Sequence, residues 1–283
     1  MVFVGVSRLT RLVGILCVLV FSVSLASAPR AGIADKVLSH RALYEVSLKS
    51  ARTGSGISDV KGRIVVEWSD ACDGFTMNQR FYTELNDSQG NLTASDRWIS
   101  SWEALDGSTF RFDLTDYLNG QLAERATGKA SLSGKKDGDK QVRYGAPEER
   151  LVSLPNKTIF PTQHTFEMLE AAKKGQKIHS STVFDGSVDG EFYDVVAFIA
   201  GPASQAKMSA ISGIPGGDDL QKMKNWNVVI AYYPHGAEQE LPEYEFSFVL
   251  FENGVASDLV MDYSDFSLQG ALSSVESLPD SGC

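Results

Sequence analysis

Apolar and polar residues alternate along much of the chain, which is the pattern of β-strands with one buried face. The clearest case is Glu243–Phe251, where every second residue from Tyr244 to Leu250 is apolar or aromatic. Asn253-Gly254 follows and favours a tight hairpin turn. Similar patterns predict further strands at His40–Leu48, Gly62–Trp68, Thr76–Leu85, Ala94–Ala104, Thr109–Leu114, Leu122–Leu132, Gln141–Tyr144, Ile178–Phe184, Tyr193–Ile199, Asn227–Tyr233, Val255–Tyr263 and Phe266–Leu268.

One stretch, Leu154–Gly175, has helical spacing instead. Thr162 follows a proline and is predicted to be the N-cap, Phe166 and Leu169 recur at helical spacing, and Gly175 stands at the stop position. By contrast, Pro202–Asp218 is rich in Gly, Ser and Ala and is predicted to be a long loop. These elements predict a short amphipathic helix that packs against a larger sheet.

About a dozen strands, one helix and no β-α-β rhythm predict an all-β fold. One apolar face per strand fits a curved or barrel-like sheet around a core, with the helix closing it. No break in composition marks a linker, so residues 29–283 are predicted to form one domain.

The first residues predict a signal peptide over residues 1–28. Two arginines precede an apolar run at Leu12–Val23, and Ala26-Ser27-Ala28 has the form of a cleavage site. Pro29 disfavours that cut, so cleavage near Ala34 stays open. A membrane anchor is the alternative, but the run is short for a span of about 20 residues. We therefore expect export and release, with no stable membrane anchor.

The net charge excludes some partners. Residues 1–28 contain two arginines and no acid, so the mature chain keeps 24 basic against 36 acidic residues, a net charge of 24 − 36 = −12. Such a charge opposes nucleic-acid binding and electrostatic docking on an anionic membrane. Solubility is its simplest consequence.

Cys72 and Cys283 remain after removal of the leader. An even pair in an exported protein predicts a disulfide, here closing a loop of 283 − 72 = 211 positions. A redox switch and an intermolecular bridge are the alternatives. The chain has no Cys-x-x-Cys motif, which favours a structural disulfide.

Motifs for catalysis are scarce. The four histidines never stand three or four residues apart, and phosphate-binding, dinucleotide and nucleophile-elbow motifs are absent, so we predict no metal, no cofactor and no enzyme. Asp185–Gly190 begins like a calcium loop, but Val196 stands where the bidentate Glu belongs, so a turn is favoured. Asp258 and Asp262 are the weak basis for an alternative, hydrolysis of an envelope polymer.

Aromatic residues suggest a binding surface. Trp98, Trp102, Phe246 and Phe248 fall on alternating positions of predicted strands. We expect them to line the concave side of the sheet, where they would hold an acyl chain or an apolar segment. Packing within the core is the alternative.

Several segments together resemble one family. They are HRALYEVSL from His40, GRIVVEW from Gly62 followed by Cys72, LPNKTIFPTQHTFEMLEAAKKGQ from Leu154, VFDG from Val183, and the final Cys283. Over nearly the whole mature chain, these are similar to the EipB-like cell-envelope-integrity proteins, a periplasmic family of alphaproteobacteria.

The resemblance implies a periplasmic, strongly curved antiparallel β-spiral with one packed helix, and a disulfide mapping onto Cys72 and Cys283. It also implies a role in envelope integrity and stress resistance, and it supplies no catalytic residue. The first hypothesis is therefore a non-enzymatic protein that binds another envelope component, either a protein or a lipid. The second is a carrier of a lipid or lipoprotein acyl chain, similar to the Lol carriers.

Overall fold

All fifteen strands that the structure describes join in one sheet. The structure is a computed structural model, and it describes residues 37–132, 140–236, 241–279 and Gly282. The strands are β1 (His40–Ala51), β2 (Ile57–Asp70), β3 (Gly74–Asp87), β4 (Leu92–Ala104), β5 (Thr109–Leu118), β6 (Gln121–Ser131), β7 (Gln141–Ala146), β8 (Arg150–Ser153), β9 (Thr158–Ile159), β10 (Ile178–Val183), β11 (Tyr193–Ile199), β12 (Asn225–Pro234), β13 (Tyr244–Phe251), β14 (Ala256–Asp262) and β15 (Phe266–Ser277). The all-β prediction is confirmed.

The sheet consists of two meanders that extend in opposite directions from the pair β1–β15. Strands β1 to β8 follow one another on one side, and β15 back to β9 follow on the other. Neighbouring strands are antiparallel except β9 and β10, which are parallel. The first and last strands of the chain therefore meet in the middle of the sheet.

The two edges of this sheet lie close together, so the sheet is strongly curled. β8 and β9 are the opposite edges, yet only four residues separate Ser153 from Thr158. Five extended residues span at most about 18 Å, whereas fifteen flat strands would be about 65 Å wide. The edges do not pair with each other, so the sheet is open and barrel-like rather than closed.

A small aromatic core joins the two halves of the sheet where its edges come together. Phe110 and Phe112 of β5 pack against Phe160, which follows β9, and Phe184, which follows β10; the Phe110–Phe160 ring centroids are 5.1 Å apart. Tyr144 of β7 completes the contact, 5.5 Å from Phe112. Burial of these rings stabilises the curled form of the sheet.

Helix α1 (Pro161–Lys173) packs inside the sheet. Its end is confirmed: Gly175 has φ 73°, and its N–H and that of Gln176 donate to Ala172 and Ala171 in a Schellman arrangement. Its predicted start is wrong, because the N-cap position is Phe160 and Thr162 lies within the first turn.

The predicted loop Pro202–Asp218 is also wrong in part, because one short helix lies within it and a second begins at its end. They are α2 (Gln205–Ala210) and α3 (Gly217–Leu220). The Ser204 hydroxyl accepts from the Lys207 N–H at the start of α2, while buried Ile211 and Leu220 attach the segment to the larger core. Among the described residues, no helix has the length and hydropathy needed to cross a membrane.

Some predictions rest on residues outside the described ranges. These residues are the signal peptide at 1–28, its cleavage sites and Cys283. Cys72 is described and lies in the turn between β2 and β3, with φ 62°. The signal peptide, the single domain over 29–283 and the Cys72–Cys283 pair therefore stay predictions.

Candidate functional site

The curled sheet surrounds a partly open cavity of about 470 Å³, within the range of about 300–1,000 Å³ usual for small-molecule sites. Its walls are the inward faces of β1–β4 and β12–β14, and α1 closes one end. Much of the wall is apolar, including the side chains of Ile64, Val66, Phe81, Phe246, Phe248 and Met261. This cavity is the candidate ligand site.

The four predicted ligand-facing residues are divided between the two faces of the sheet. Phe246 and Phe248 line the cavity, with ring centroids 5.0 Å apart. Trp98 and Trp102 lie on the outer face of β4, and Arg97 and Ile99 face inward in their place. The expectation that all four share one face is therefore not met.

The outer tryptophans have polar surroundings. Trp98 is 46% exposed and borders an open groove of the outer face, and the Arg80 guanidinium lies 4.4 Å from its ring centroid. Trp102 is covered in the same way by Arg111, at 4.8 Å. Cation–π contacts of this kind let large rings remain on the surface of a strand.

At the helix end of the cavity, three rings fix α1 to the sheet. Phe166 of α1 meets Phe75 and Trp68 edge-on, at 5.1 Å and 6.1 Å between centroids. Trp68 and Phe75 stack on each other at 4.9 Å. The helix is thus held over the cavity by β2 and β3.

Glu103 of β4 caps α1 from the sheet. Its side chain is buried, at 3% exposure, and its two oxygens accept from the N–H groups of Thr162 and Gln163 at 2.8 Å and 2.9 Å. These donors favour the charged form, as does the helix dipole. Burial opposes it more strongly and raises the pKa of Glu103 to about 7.

His164 on α1 also faces the cavity wall and is buried. Its ring lies 5.9 Å from that of His179 on β10. Burial, with a smaller effect of His179, lowers the pKa of His164 to about 4, so its imidazole is neutral. The described residues contain no group of three side chains arranged to hold a metal ion.

The opposite end of the cavity carries three tyrosines from neighbouring strands. Tyr232 and Tyr244 stack at 4.3 Å with an angle of 15°, and Tyr263 lies 6.3 Å from Tyr244. All three line the cavity. Burial raises the pKa of each phenol, so all three hydroxyls stay protonated.

Charged residues stand beside these tyrosines. Arg97 lines the cavity and donates to Asp116 at 2.8 Å, and its Nη2 is 3.9 Å from Glu124. Asp185 also lines the cavity and keeps an exposed surface. Desolvation by the surrounding protein raises its pKa, against smaller lowering effects of the Ser187 N–H and of the Arg97 charge. We call Tyr232, Tyr244, Tyr263, Arg97 and Asp185 the polar end.

Sequence reasoning missed most of the polar end. Asp185 drew attention only as part of an incomplete calcium loop, and in the structure it begins a turn in which its Oδ1 accepts from Ser187. Arg97 was not predicted to face the cavity, because the interior face of β4 was assigned to its neighbour Trp98. The available signal was the tyrosine pair Tyr232 and Tyr244, since both strands alternate clearly.

The acids of the hydrolase alternative do not face each other across a cleft. Asp258 forms an ion pair with Lys207 at 2.7 Å, and Asp262 is exposed at the end of β14. Neither residue lines the cavity.

The fold and the site define a β-barrel-like protein with an apolar interior cavity capped by a helix. The chain belongs to the EipB-like family, whose model matches residues 31–279. It is 34% identical over 249 residues to the cell envelope integrity protein EipB of Brucella abortus, covering 87% of this chain and 86% of that one.

A solved structure is similar as well. The crystal structure of a β-barrel-like protein of a domain of unknown function from Brucella abortus superimposes with a TM-score of 0.78 at 31% identity. The match covers 86% of this chain and 99% of the other.

Proposed function

We propose that this protein supports cell-envelope integrity from the periplasm, by holding the apolar part of an envelope component in its interior cavity and without catalysing a reaction on it. The cavity of about 470 Å³, with its largely apolar wall, is the observation that carries the proposal. The name of the related Brucella abortus protein supports the role in the envelope. The signal peptide predicted over residues 1–28 supports the location.

The occupant that fits this cavity is an acyl chain of a lipid or lipoprotein. A largely apolar cavity removes such a chain from water, which stabilises the complex by about 25 cal/mol per Å² of apolar surface buried. Closure of one end by α1 favours a chain that enters from the other end. This geometry also favours a carrier over other kinds of binding protein, because a carrier must shield the apolar part of its ligand from water.

Two neighbouring valines of β2 allow a matched test. Val66 lines the cavity and Val65, next to it, lies on the outer face. In a strain lacking this gene, wild type and Val65→Trp should restore growth on detergent, while Val66→Trp, whose ring fills the cavity, should not. Thermal unfolding and periplasmic amounts of both variants are measured alongside.

The proposal fails if folded Val66→Trp restores growth as well as Val65→Trp does. It also fails if the deletion strain shows no envelope defect. The first result would mean that the protein supports the envelope without using the cavity.

A further inference from the structure

The polar end has hydrogen-bonding groups that the protein itself leaves unused. Within the part of the chain that the structure describes, the hydroxyls of Tyr232, Tyr244 and Tyr263 bond to no other residue, although their rings are packed against one another. All three residues are half-buried, so their hydroxyls remain accessible to water or to a ligand in the cavity. Three such groups at one end of a largely apolar cavity can hydrogen-bond to the polar head of a ligand.

The charges at this end decide which head fits. Arg97 is already paired with Asp116 and lies near Glu124, so one cation stands between two carboxylates. Asp185 adds a further acid on the cavity side. An anionic head placed there would meet uncompensated like charge in a partly dry environment, which costs binding free energy.

A neutral head meets no such cost. Each tyrosine hydroxyl both donates and accepts, so hydroxyl, ester and amide groups can bond to it. Arg97 keeps further N–H donors besides those of Nε and Nη2 that bond to Asp116. The chain of the ligand would then run from the polar end toward α1 along Phe246 and Phe248.

We propose that the cavity selects amphiphiles with an uncharged, hydrogen-bonding head, such as an acylglycerol, over anionic amphiphiles with the same chain, and that Tyr232, Tyr244 and Tyr263 bind that head. This inference rests on the proposed function, because it requires an acyl chain in the cavity. It adds the class of head group and the residues that recognise it.

The test is displacement of a fluorescent apolar probe from the purified mature protein at pH 8. Monopalmitoylglycerol and palmitate are the competitors, since they share a chain and differ in head charge. We expect monopalmitoylglycerol to bind at least about tenfold more tightly. Each Tyr→Phe change at the three positions should weaken it by about fivefold, the value of one hydrogen bond, and leave palmitate unchanged.

Matched controls come from the same strands. Tyr233→Phe lies beside Tyr232 on β12 but does not line the cavity, so it should change neither affinity. Asp116→Asn combined with Glu124→Gln should tighten palmitate binding, because it removes the repelling charge. Asp113→Asn, on the outer face of β5, should not.

Equal or tighter binding of palmitate by the wild type would overturn this inference and leave the proposed function standing. So would Tyr→Phe variants that bind monopalmitoylglycerol like the wild type. If neither the probe nor any acyl compound binds, the proposed function itself is wrong.

Discussion

Glu103 is a carboxylate inside the protein that occupies the position usually taken by an N-cap side chain. It comes from β4, far from the helix in sequence, and accepts from Thr162 and Gln163. The N-terminus of α1 is therefore satisfied by the sheet rather than by its own cap.

Removing this carboxylate should destabilise the protein. Glu103→Ala leaves the N–H groups of Thr162, which is buried, and Gln163, which is half-buried, without their acceptor and should lower the free energy of unfolding by about 2 kcal/mol. Glu103→Gln keeps one acceptor and should lose less. Urea denaturation measures both, with Glu67→Ala as the exposed control, since its pair with Arg41 lies at the surface. A Glu103→Ala loss no larger than the control would contradict the capping role.

Glu103 and His164 should shift stability in opposite directions as pH changes. Burial raises the pKa of Glu103 from 4.5 to about 7, so its contribution is present below 4.5 and is lost as pH rises through 7. Burial lowers the pKa of His164 from 6.5 to about 4, so its contribution is present above 6.5 and is lost as pH falls through 4.

The two effects can be separated with Glu103→Gln. Between pH 5 and pH 7 the stability of this variant should rise relative to wild type by on the order of 2 kcal/mol, because only wild type loses the Glu103 contribution. Urea midpoints at several pH values measure the difference. A constant difference across that range would show that Glu103 titrates normally.

Sequence reasoning failed at the site mainly because it assigned the wrong face of β4 to the interior. Its two faces are Trp98 and Trp102 on one side, and Arg97, Ile99 and Glu103 on the other. Hydropathy assigns the tryptophan face to the interior. The interior instead takes the charged face because Asp116 pairs with Arg97 and the N-terminus of α1 pairs with Glu103, and these partners are invisible in the local sequence.

At the scale of elements, α1 is held over the cavity by aromatic packing. Phe166 lies against Trp68 and Phe75 and also lines the cavity. The stop at Gly175 was predictable because it depends on the conformation of one residue. The start was not, because its cap comes from another element.

Phe166→Ala should loosen this element. We expect the free energy of unfolding to fall by about 2 kcal/mol, less than for a fully buried ring because Phe166 is half-buried. Phe198→Ala is the control, since that ring is exposed on the outer face of β11. Chemical denaturation compares the two, and equal losses would mean that Phe166 does not anchor the helix.

Across the whole molecule, local alternation predicted most strands, while the closure of the sheet required contacts between distant residues. The pairing of β1 with β15 and the packing of Phe110 against Phe160 are contacts of this kind. Helices α2 and α3 were likewise not predicted, because their segment is rich in Gly, Ser and Ala and each helix is too short to show helical periodicity.

The predicted disulfide belongs to this scale because it would tie the end of the chain to the turn after β2. Cys72→Ser and Cys283→Ser should each lower the melting temperature of the oxidised protein, since each removes the same bond, worth roughly 5 kcal/mol for so long a loop. The double variant should have the same melting temperature as the single variants. Differential scanning calorimetry decides, and variants as stable as wild type would refute the structural disulfide.

The most direct test of the central claim is native mass spectrometry of protein taken from its own periplasm under mild conditions. We expect the wild type and Val65→Trp to carry a bound species of lipid mass that collision releases, and Val66→Trp to be empty. Bare wild-type protein, even after incubation with extracted envelope lipids, would contradict the cavity as a ligand site.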